Sequence, residues 1–365
     1  MIKINIISSI FGSSGYDSHG RQLANALYKL ADCRLTTQPP QDWLKHVNDA
    51  EMDMMTKPER KDDYNLIIAM PHQWKMFTGL GKNIGYCVFE GDSIPKSWIE
   101  EFENPKIDYI FIPSQHTYNA IMKTWHCFYN DEAIKEKLRI IPHGVDLSIF
   151  HSQQKSVVAS ADTFKFICNK GWRGTSWDRG GVQYLLKAFA EEFSKDEKVE
   201  LILKLNPSYI NPQMINQAIT NLNLPKDRPQ IKINCDNIPF DKLPKLYRQA
   251  DCFVCATRAE SFNLPGLEAM ACRLPTIQTG FGGQTDYMNA NNSFFINYDL
   301  DYSEEKPLYE EIKWAIPHIS HLRKQMRWAF NNQKDIKKMG KQAEEDSKQW
   351  TWDISAQKII KCLKN

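Results

Sequence analysis

The sequence predicts an α/β protein of two domains, each a parallel sheet with helices on both faces. Short β-rich apolar runs alternate with longer amphipathic segments, the pattern of repeated β-α units. The apolar runs are continuous rather than alternating, as in strands buried on both faces. At 365 residues the chain is too long for one small core and suits two domains of ordinary size.

In the first half, strands are expected at residues 4–10, 65–70, 84–89, 109–113 and 139–142. In the second half they are expected at 164–168, 201–205, 231–235, 252–256, 276–278 and 294–297. Helical spacing lies between them. Leu23, Leu27 and Leu30 share one face of residues 18–31, where Ser18 suits a helix N-cap. Val182, Leu185, Leu186, Phe189 and Phe193 share one face of 181–193. The pattern pauses at 151–162 (HSQQKSVVASAD), a polar stretch that reads as a linker. Domains are therefore expected at 1–155 and 156–349, and 350–363 reads as a last helix.

Composition excludes several classes. Charged residues make up 25% and net charge is +2, which gives no general case for nucleic-acid binding. The opening MIKINIISSIFG reads as a strand rather than a secretion signal, and no run approaches the length of a spanning helix. The nine cysteines are scattered through mostly apolar runs and read as reduced thiols of a cytoplasmic protein. Cys252 and Cys255 form a CxxC, but within a buried strand and without a second pair. No H-x-x-H or DxD-like cluster is present, so no metal is expected. The basic run 323–341 reads as a solvated helix face, with contact at a membrane surface as the alternative.

The chemistry concentrates in ESFNLPGLEAMACRLPTI, residues 260–277. It follows the strand DCFVCAT and leads into a helix from about Pro265, a residue suited to a first turn. The amides of Phe262, Asn263, Leu264 and Gly266 are expected to gather at that helix start, where free N–H groups and the helix dipole favour a diphosphate. Glu260 precedes the helix and Glu268 lies eight residues on, in its expected first turn. Two carboxylates beside a phosphate site make sense if the ligand also carries hydroxyls, since a carboxylate accepts two hydrogen bonds from a vicinal diol. The alternative is that Glu268 complements the helix dipole and Glu260 is a surface loop acid. Asn263 tolerates a left-handed backbone better than most residues.

This E-x7-E segment resembles the family 4 retaining glycosyltransferases (glycosyl transferases group 1) of the GT-B fold. The similarity extends to RIIPHGVD, to IGYCVFEGDSIPKSWIEEF with IDYIFIPSQHT, and to WTWDISAQKIIKCL, four blocks in the family's order covering most of the chain. The resemblance implies two Rossmann-like domains with parallel sheets facing across a cleft. The acceptor-side N-terminal domain would be completed by a C-terminal helix at 350–365, and the other domain would bind a nucleotide-sugar donor. It implies retention of configuration without a metal or other cofactor. Glu268 would bind ribose hydroxyls, Glu260 the transferred sugar, and the 262–264 amides the diphosphate. The family's leaving-group cations fall on Arg173 and on Arg179, where Arg-Gly replaces the usual Lys-Gly and the spacing is one residue longer. Lys170 is an alternative source of one contact. Asn263 and Arg273 stand where the family often has Gly.

Further candidates lie in the first half. Gly12 and Gly15, in FGSSGYDSHG, let the loop after the first strand turn tightly near a ligand. In the family this loop closes over the donor phosphates or the acceptor. The segment lacks GxGxxG and the acid ending a second strand, which argues against a dinucleotide dehydrogenase. Glu90 and then Asp92, at the C-terminal end of a buried strand, are placed to meet the acceptor or the sugar, with turn chemistry as the alternative for Asp92. His72 follows another strand, and His143 suits a role in the interdomain turn. The expected reaction moves a hexose-type sugar from a nucleotide sugar, UDP ahead of GDP, to a glycan, lipid or other hydroxyl. A nucleotide-sugar epimerase and a non-catalytic sugar-nucleotide-binding subunit are the competing readings.

Overall fold

A computed structural model describes residues 1–12, 14–77, 80–129, 132–152 and 163–364, with the side chains of Trp43 and Met76 excepted. The expected linker at 151–162 falls almost wholly outside them. The chain divides into two compact units, Met1–Gly144 with Trp350–Asn365, and Val145–Gln349.

The first unit carries a six-stranded parallel sheet of β1 (Lys3–Ile7), β2 (Asp32–Thr36), β3 (Tyr64–Ile68), β4 (Lys82–Tyr86), β5 (Tyr109–Ile112) and β6 (Leu138–Ile140). Their order is β2-β1-β3-β4-β5-β6. Ile4 and Ile6 of β1, Leu66 of β3, Ile84 of β4 and Ile110 of β5 are buried at its centre. β2 was not expected from the sequence, because DCRLT carries two charges and too few apolar residues to stand out.

The first helix runs Gly15–Tyr28, so it starts before residue 18. Its cap is Ser14, not Ser18: the Ser14 hydroxyl accepts from the Asp17 amide and the Asp17 carboxylate accepts from the Ser14 amide. This reciprocal box satisfies two helix-end donors at once, which a cap at Ser18 would not. The last helix, Trp352–Lys364, packs within this unit. The Ser355 hydroxyl donates to the Pro142 carbonyl at 2.6 Å and the Tyr64 hydroxyl to the Leu363 carbonyl at 2.7 Å.

The second unit carries β7 (Phe164–Lys170), β8 (Val199–Leu205), β9 (Ile231–Asn234), β10 (Cys252–Cys255), β11 (Thr276–Thr279) and β12 (Ser293–Ile296). They are parallel and ordered β12-β11-β10-β7-β8-β9. The core beneath them includes Phe166, Leu186, Phe189, Phe193 and Leu203. An antiparallel hairpin, β13 (Tyr298–Tyr302) with β14 (Lys313–Pro317), was not expected. Its first strand is largely exposed and polar. The basic run 323–341 spans two helices, Ile319–Asn331 and Gln333–Ser347. Arg323 and Arg327 on the first pair with Glu191, Glu192 and Glu197.

Strand order places the second unit's ligand end. The direction in which successive strands are added to the sheet reverses between the neighbours β7 and β10, and open α/β sheets bind ligands at the carboxyl ends of strands at such a switch point.

Candidate functional site

Both loops at that switch point are pinned by close backbone approach. The loop after β7 ends at Gly181, in a left-handed conformation (φ 74°) at the start of the helix Val182–Glu192. A Cβ there would lie 1.8 Å from the Ala256 carbonyl oxygen, so only glycine fits beside the end of β10. Asp178, buried, gathers the rest of the loop. Its carboxylate accepts from the Arg173 amide at 2.9 Å and the Gly180 amide at 2.7 Å.

The loop after β10 leads to the helix Leu264–Ala271, with Asn263 at its N-cap in a left-handed conformation (φ 64°, ψ 67°). Asn263 is buried and its side chain is fully engaged. Oδ1 accepts from Lys170 Nζ at 3.1 Å, and Nδ2 donates to Gln278 Oε1 at 2.6 Å. Its carbonyl accepts from the Tyr287 hydroxyl at 2.9 Å, and Tyr287 packs on the fully buried ring of Phe262. Phe262, Asn263 and Leu264 thus form a fixed turn at the helix start.

Glu260 is no surface acid. Its side chain is 14% exposed and forms an ion pair with Lys170, itself 10% exposed, at the end of β7. Thr257 Oγ1 donates to Glu260 Oε1 at 3.2 Å. Burial works to raise the Glu260 pKa, but the charges of Lys170 and Arg179 outweigh it and hold the carboxyl below its ordinary range. Lys170 is in turn held above its usual range: burial opposes its charge and Glu260 restores it.

Glu268 lies in the helix's second turn, not its first, and is 7% exposed, so it does not serve as a surface complement to the helix dipole. Tyr247 donates to Glu268 Oε2 at 2.8 Å. Burial pushes the Glu268 carboxyl up to about 7, against the lowering effects of the Tyr247 hydrogen bond and the Lys170 charge. One carboxylate of the pair is thus fixed as an anion, and the other is poised to change charge near neutrality.

Arg179 and Lys170 accompany Glu260, whereas Arg173 does not join them. Its side chain is 51% exposed and pairs with Glu305 at 3.0 Å. Arg273 also has a positive φ (66°) and pairs with Glu344 on the surface at 2.6 Å. Sequence reasoning missed Arg258, 1% exposed, whose guanidinium donates to the Trp177 carbonyl at 2.6 Å, to Ala315 at 3.1 Å and to Glu304 at 2.8 Å. It ties β10 to the loop after β7 and to β14. An arginine so soon after a buried strand was the available signal. The loop after β11 was missed as well. A Cβ on Gly283 would lie 1.8 Å from the Ser261 carbonyl oxygen, and the Gly283 amide donates to the Glu260 carbonyl at 2.8 Å.

In the first unit, Gly12 is crowded by Asp17, whose carboxylate would lie 2.4 Å from an added Cβ. Gly15 meets nothing within 4 Å, and neither glycine has positive φ, so only Gly12 has a close neighbour, the Asp17 side chain. Burial works to raise the Asp17 pKa, but the Ser14 and Ser9 hydroxyls and backbone amides hold it below its usual range. Glu90 is buried in the loop after β4, which ends at Tyr86 rather than at residue 89, and its carbonyl contacts His116 Nε2 at 3.0 Å. Asp92 instead bonds Lys123 and, at 3.1 Å, the Ser93 hydroxyl, as turn chemistry would have it. His72 is exposed. His143 is buried against His19, Tyr86 and Trp352 within this unit, and burial lowers its pKa to about 3. Cys252 and Cys255 are both buried thiols of β10. Among the described residues, no group of three or more His, Cys, Asp or Glu side chains is arranged to hold a metal ion.

The architecture is that of the GT-B glycosyltransferases, and residues 171–304, which include both Glu260 and Glu268, match the family model described as glycosyl transferases group 1. A candidate glycosyltransferase of Sulfolobus islandicus filamentous virus (isolate Iceland/Hveragerdi) is 24% identical over 241 residues, 65% of this chain and 60% of that protein. The D-inositol 3-phosphate glycosyltransferase of Segniliparus rotundus is 26% identical over 180 residues, 45% of this chain and 36% of that enzyme. The chain thus spans less than two thirds of either relative. Among solved structures, Anabaena HepE in complex with UDP-glucose superimposes with a TM-score of 0.71 at 14% identity, covering 100% of both chains. A glycosyltransferase from Rickettsia africae does so with a TM-score of 0.69 at 15% identity, covering 100% of this chain and 98% of that one. These likenesses show the fold.

Proposed function

We propose that this chain is a retaining glycosyltransferase of family 4, moving a hexose-type sugar from a nucleotide sugar, UDP ahead of GDP, to a hydroxyl of a glycan, lipid or other acceptor. One observation carries the reading: Glu260 and Glu268 flank a helix start at the β7/β10 switch point, beside Lys170 and Arg179. The turn at Phe262–Leu264 offers a diphosphate the positive end of a helix. Glu268 accepts hydrogen bonds from ribose hydroxyls, and Glu260 from hydroxyls of the transferred sugar. Lys170 and Arg179 neutralise the leaving diphosphate, an interaction that strengthens as the leaving group gains charge. Arg173 belongs to this set if its bond to Glu305 exchanges for a phosphate.

In this reading no protein side chain acts as a nucleophile. The leaving phosphate accepts the acceptor's proton as the new glycosidic bond forms on the face the phosphate leaves. The first unit binds the acceptor, with Glu90 ahead of Asp92 as its polar partner and the Gly12–Gly15 loop beside it. UDP is favoured because solved neighbours of the same fold carry it, Anabaena HepE with UDP-glucose and Staphylococcus aureus TarM with UDP among them. The reaction uses no metal and takes place in the cytoplasm. No described helix is long and apolar enough to cross a membrane, and an acceptor at the membrane surface is compatible with that.

The test is a thermal-shift screen against UDP-, GDP-, ADP- and TDP-sugars with and without EDTA, followed by NMR of the product's anomeric configuration. A rise in Tm for one donor that survives EDTA, and a product of unchanged configuration, are expected. Binding without transfer to any acceptor would favour a non-catalytic subunit. Conversion of the donor alone to its epimer would favour an epimerase.

A further inference from the structure

We propose that Tyr247 is a positioning residue of the donor site: its hydroxyl fixes the Glu268 carboxylate for the vicinal hydroxyls of a nucleotide ribose. The inference rests on the donor-site reading above and adds the residue through which the ribose carboxylate is set.

Tyr247 ends the helix Leu243–Tyr247 and is 1% exposed, with its ring held against Phe150 and Phe253. Its oxygen makes two bonds of opposite sense. It accepts from Asn169 Nδ2 at 2.9 Å and donates to Glu268 Oε2 at 2.8 Å. An amide nitrogen only donates, so the phenol's single hydrogen is committed to Glu268. Oε2 is thereby anchored, and the remaining acceptor sites of the carboxylate are set at a fixed angle for a diol. The last two residues of β7 thus govern both acids, Lys170 touching Glu260 and Asn169 reaching Glu268 through the phenol.

A hydrogen bond to the ionised carboxylate also favours its charged form. The other ionisable groups facing Glu268 are Lys170 from β7, Tyr287 from the segment after β11, and Cys272 at the end of its own helix. Of these, only Lys170 carries a charge at neutral pH. Removing the phenol hydroxyl therefore leaves Glu268 less well placed and harder to ionise.

The experiment is calorimetric titration of the full chain with UDP-, GDP-, ADP- and TDP-glucose from pH 5.5 to 8.5, in the parent, Tyr247→Phe, Asn169→Ala and Glu268→Gln. The diphosphate diester of these probes does not titrate in that range. The parent is expected to bind more tightly as pH rises through the ionisation of Glu268, and Glu268→Gln to lose that step. Tyr247→Phe is expected to bind about tenfold more weakly at pH 7, with the step moved up by about one pH unit and the deficit narrowing towards pH 8.5. Asn169→Ala, which leaves the phenol in place, is expected to show the same shift at reduced size and serves if Tyr247→Phe fails to fold. A deficit equal at every pH, or parental binding by both variants, overturns the role of Tyr247 while leaving the donor site standing. A parent that binds none of the four sugars overturns the donor-site reading itself.

Discussion

Lys170, the last residue of β7, sets its ammonium against both the carboxylate of Glu260 and, at 3.1 Å, the side-chain oxygen of Asn263. Two strands that are neighbours in the sheet but far apart in sequence are thereby joined at their carboxyl ends. Truncating one partner of a buried pair leaves the other charge without compensation. Lys170→Ala should destabilise the second unit by about 3–5 kcal/mol. The double variant Lys170→Met with Glu260→Gln should recover most of that loss. Denaturant unfolding measures both, and a double variant no more stable than the single one would contradict the pairing.

Glu268 makes stability depend on pH. Its carboxyl titrates at about 7 when folded, against 4.5 ordinarily. The folded chain retains a proton that the unfolded chain has lost, so this group's contribution is full below 4.5 and disappears as pH rises through 7. Glu268→Gln has no such loss. In ligand-free protein its Tm relative to the parent should climb between pH 5 and pH 8, and a constant difference would refute the assignment.

Asn263 combines a left-handed backbone with a side chain that bonds Lys170 and Gln278. Glycine keeps the backbone and loses those bonds. Valine loses them and adds about 1–2 kcal/mol of backbone strain. Thermal denaturation should rank the parent above Asn263→Gly and Asn263→Val lowest. Equal stability of the two variants would remove strain from the account.

Asp178 holds the loop that carries Arg179. Two amide bonds to one carboxylate are worth about 1.5–3 kcal/mol each. Asp178→Ala should therefore lower kcat by tenfold or more, with a smaller change in the KM for the donor. If donor KM alone rises, the loop serves binding rather than the leaving group.

Glu260 and Glu268 stood out through the family resemblance of their segment, since spacing alone left a dipole complement and a surface acid open, and most strands were legible because they are continuous apolar runs. Asn263 was legible because asparagine tolerates the left-handed region that the turn uses. Tyr247 and Asp178 were not, because each acts through partners distant in sequence or through backbone amides that leave no residue pattern. Glu268 was placed in the first turn because the helix was expected from about Pro265; it begins one residue earlier, at Leu264, which makes Glu268 its fifth residue. Ser14 was passed over because Ser18 stands nearer the leucine stripe, whereas the acid three residues after Ser14 decides the cap. The β13–β14 hairpin escaped because its polar first strand shows no apolar run.

The helix Trp352–Lys364 belongs to the unit formed by Met1–Gly144, yet Val145–Gln349 lies between them in the chain. On the ribosome, the part made first is therefore finished last. Until that helix is made, the Pro142 carbonyl lacks its Ser355 partner and the surface under Trp352 is uncovered. A chain that has not yet made this helix leaves apolar surface uncovered in the first unit, the kind of surface chaperones bind.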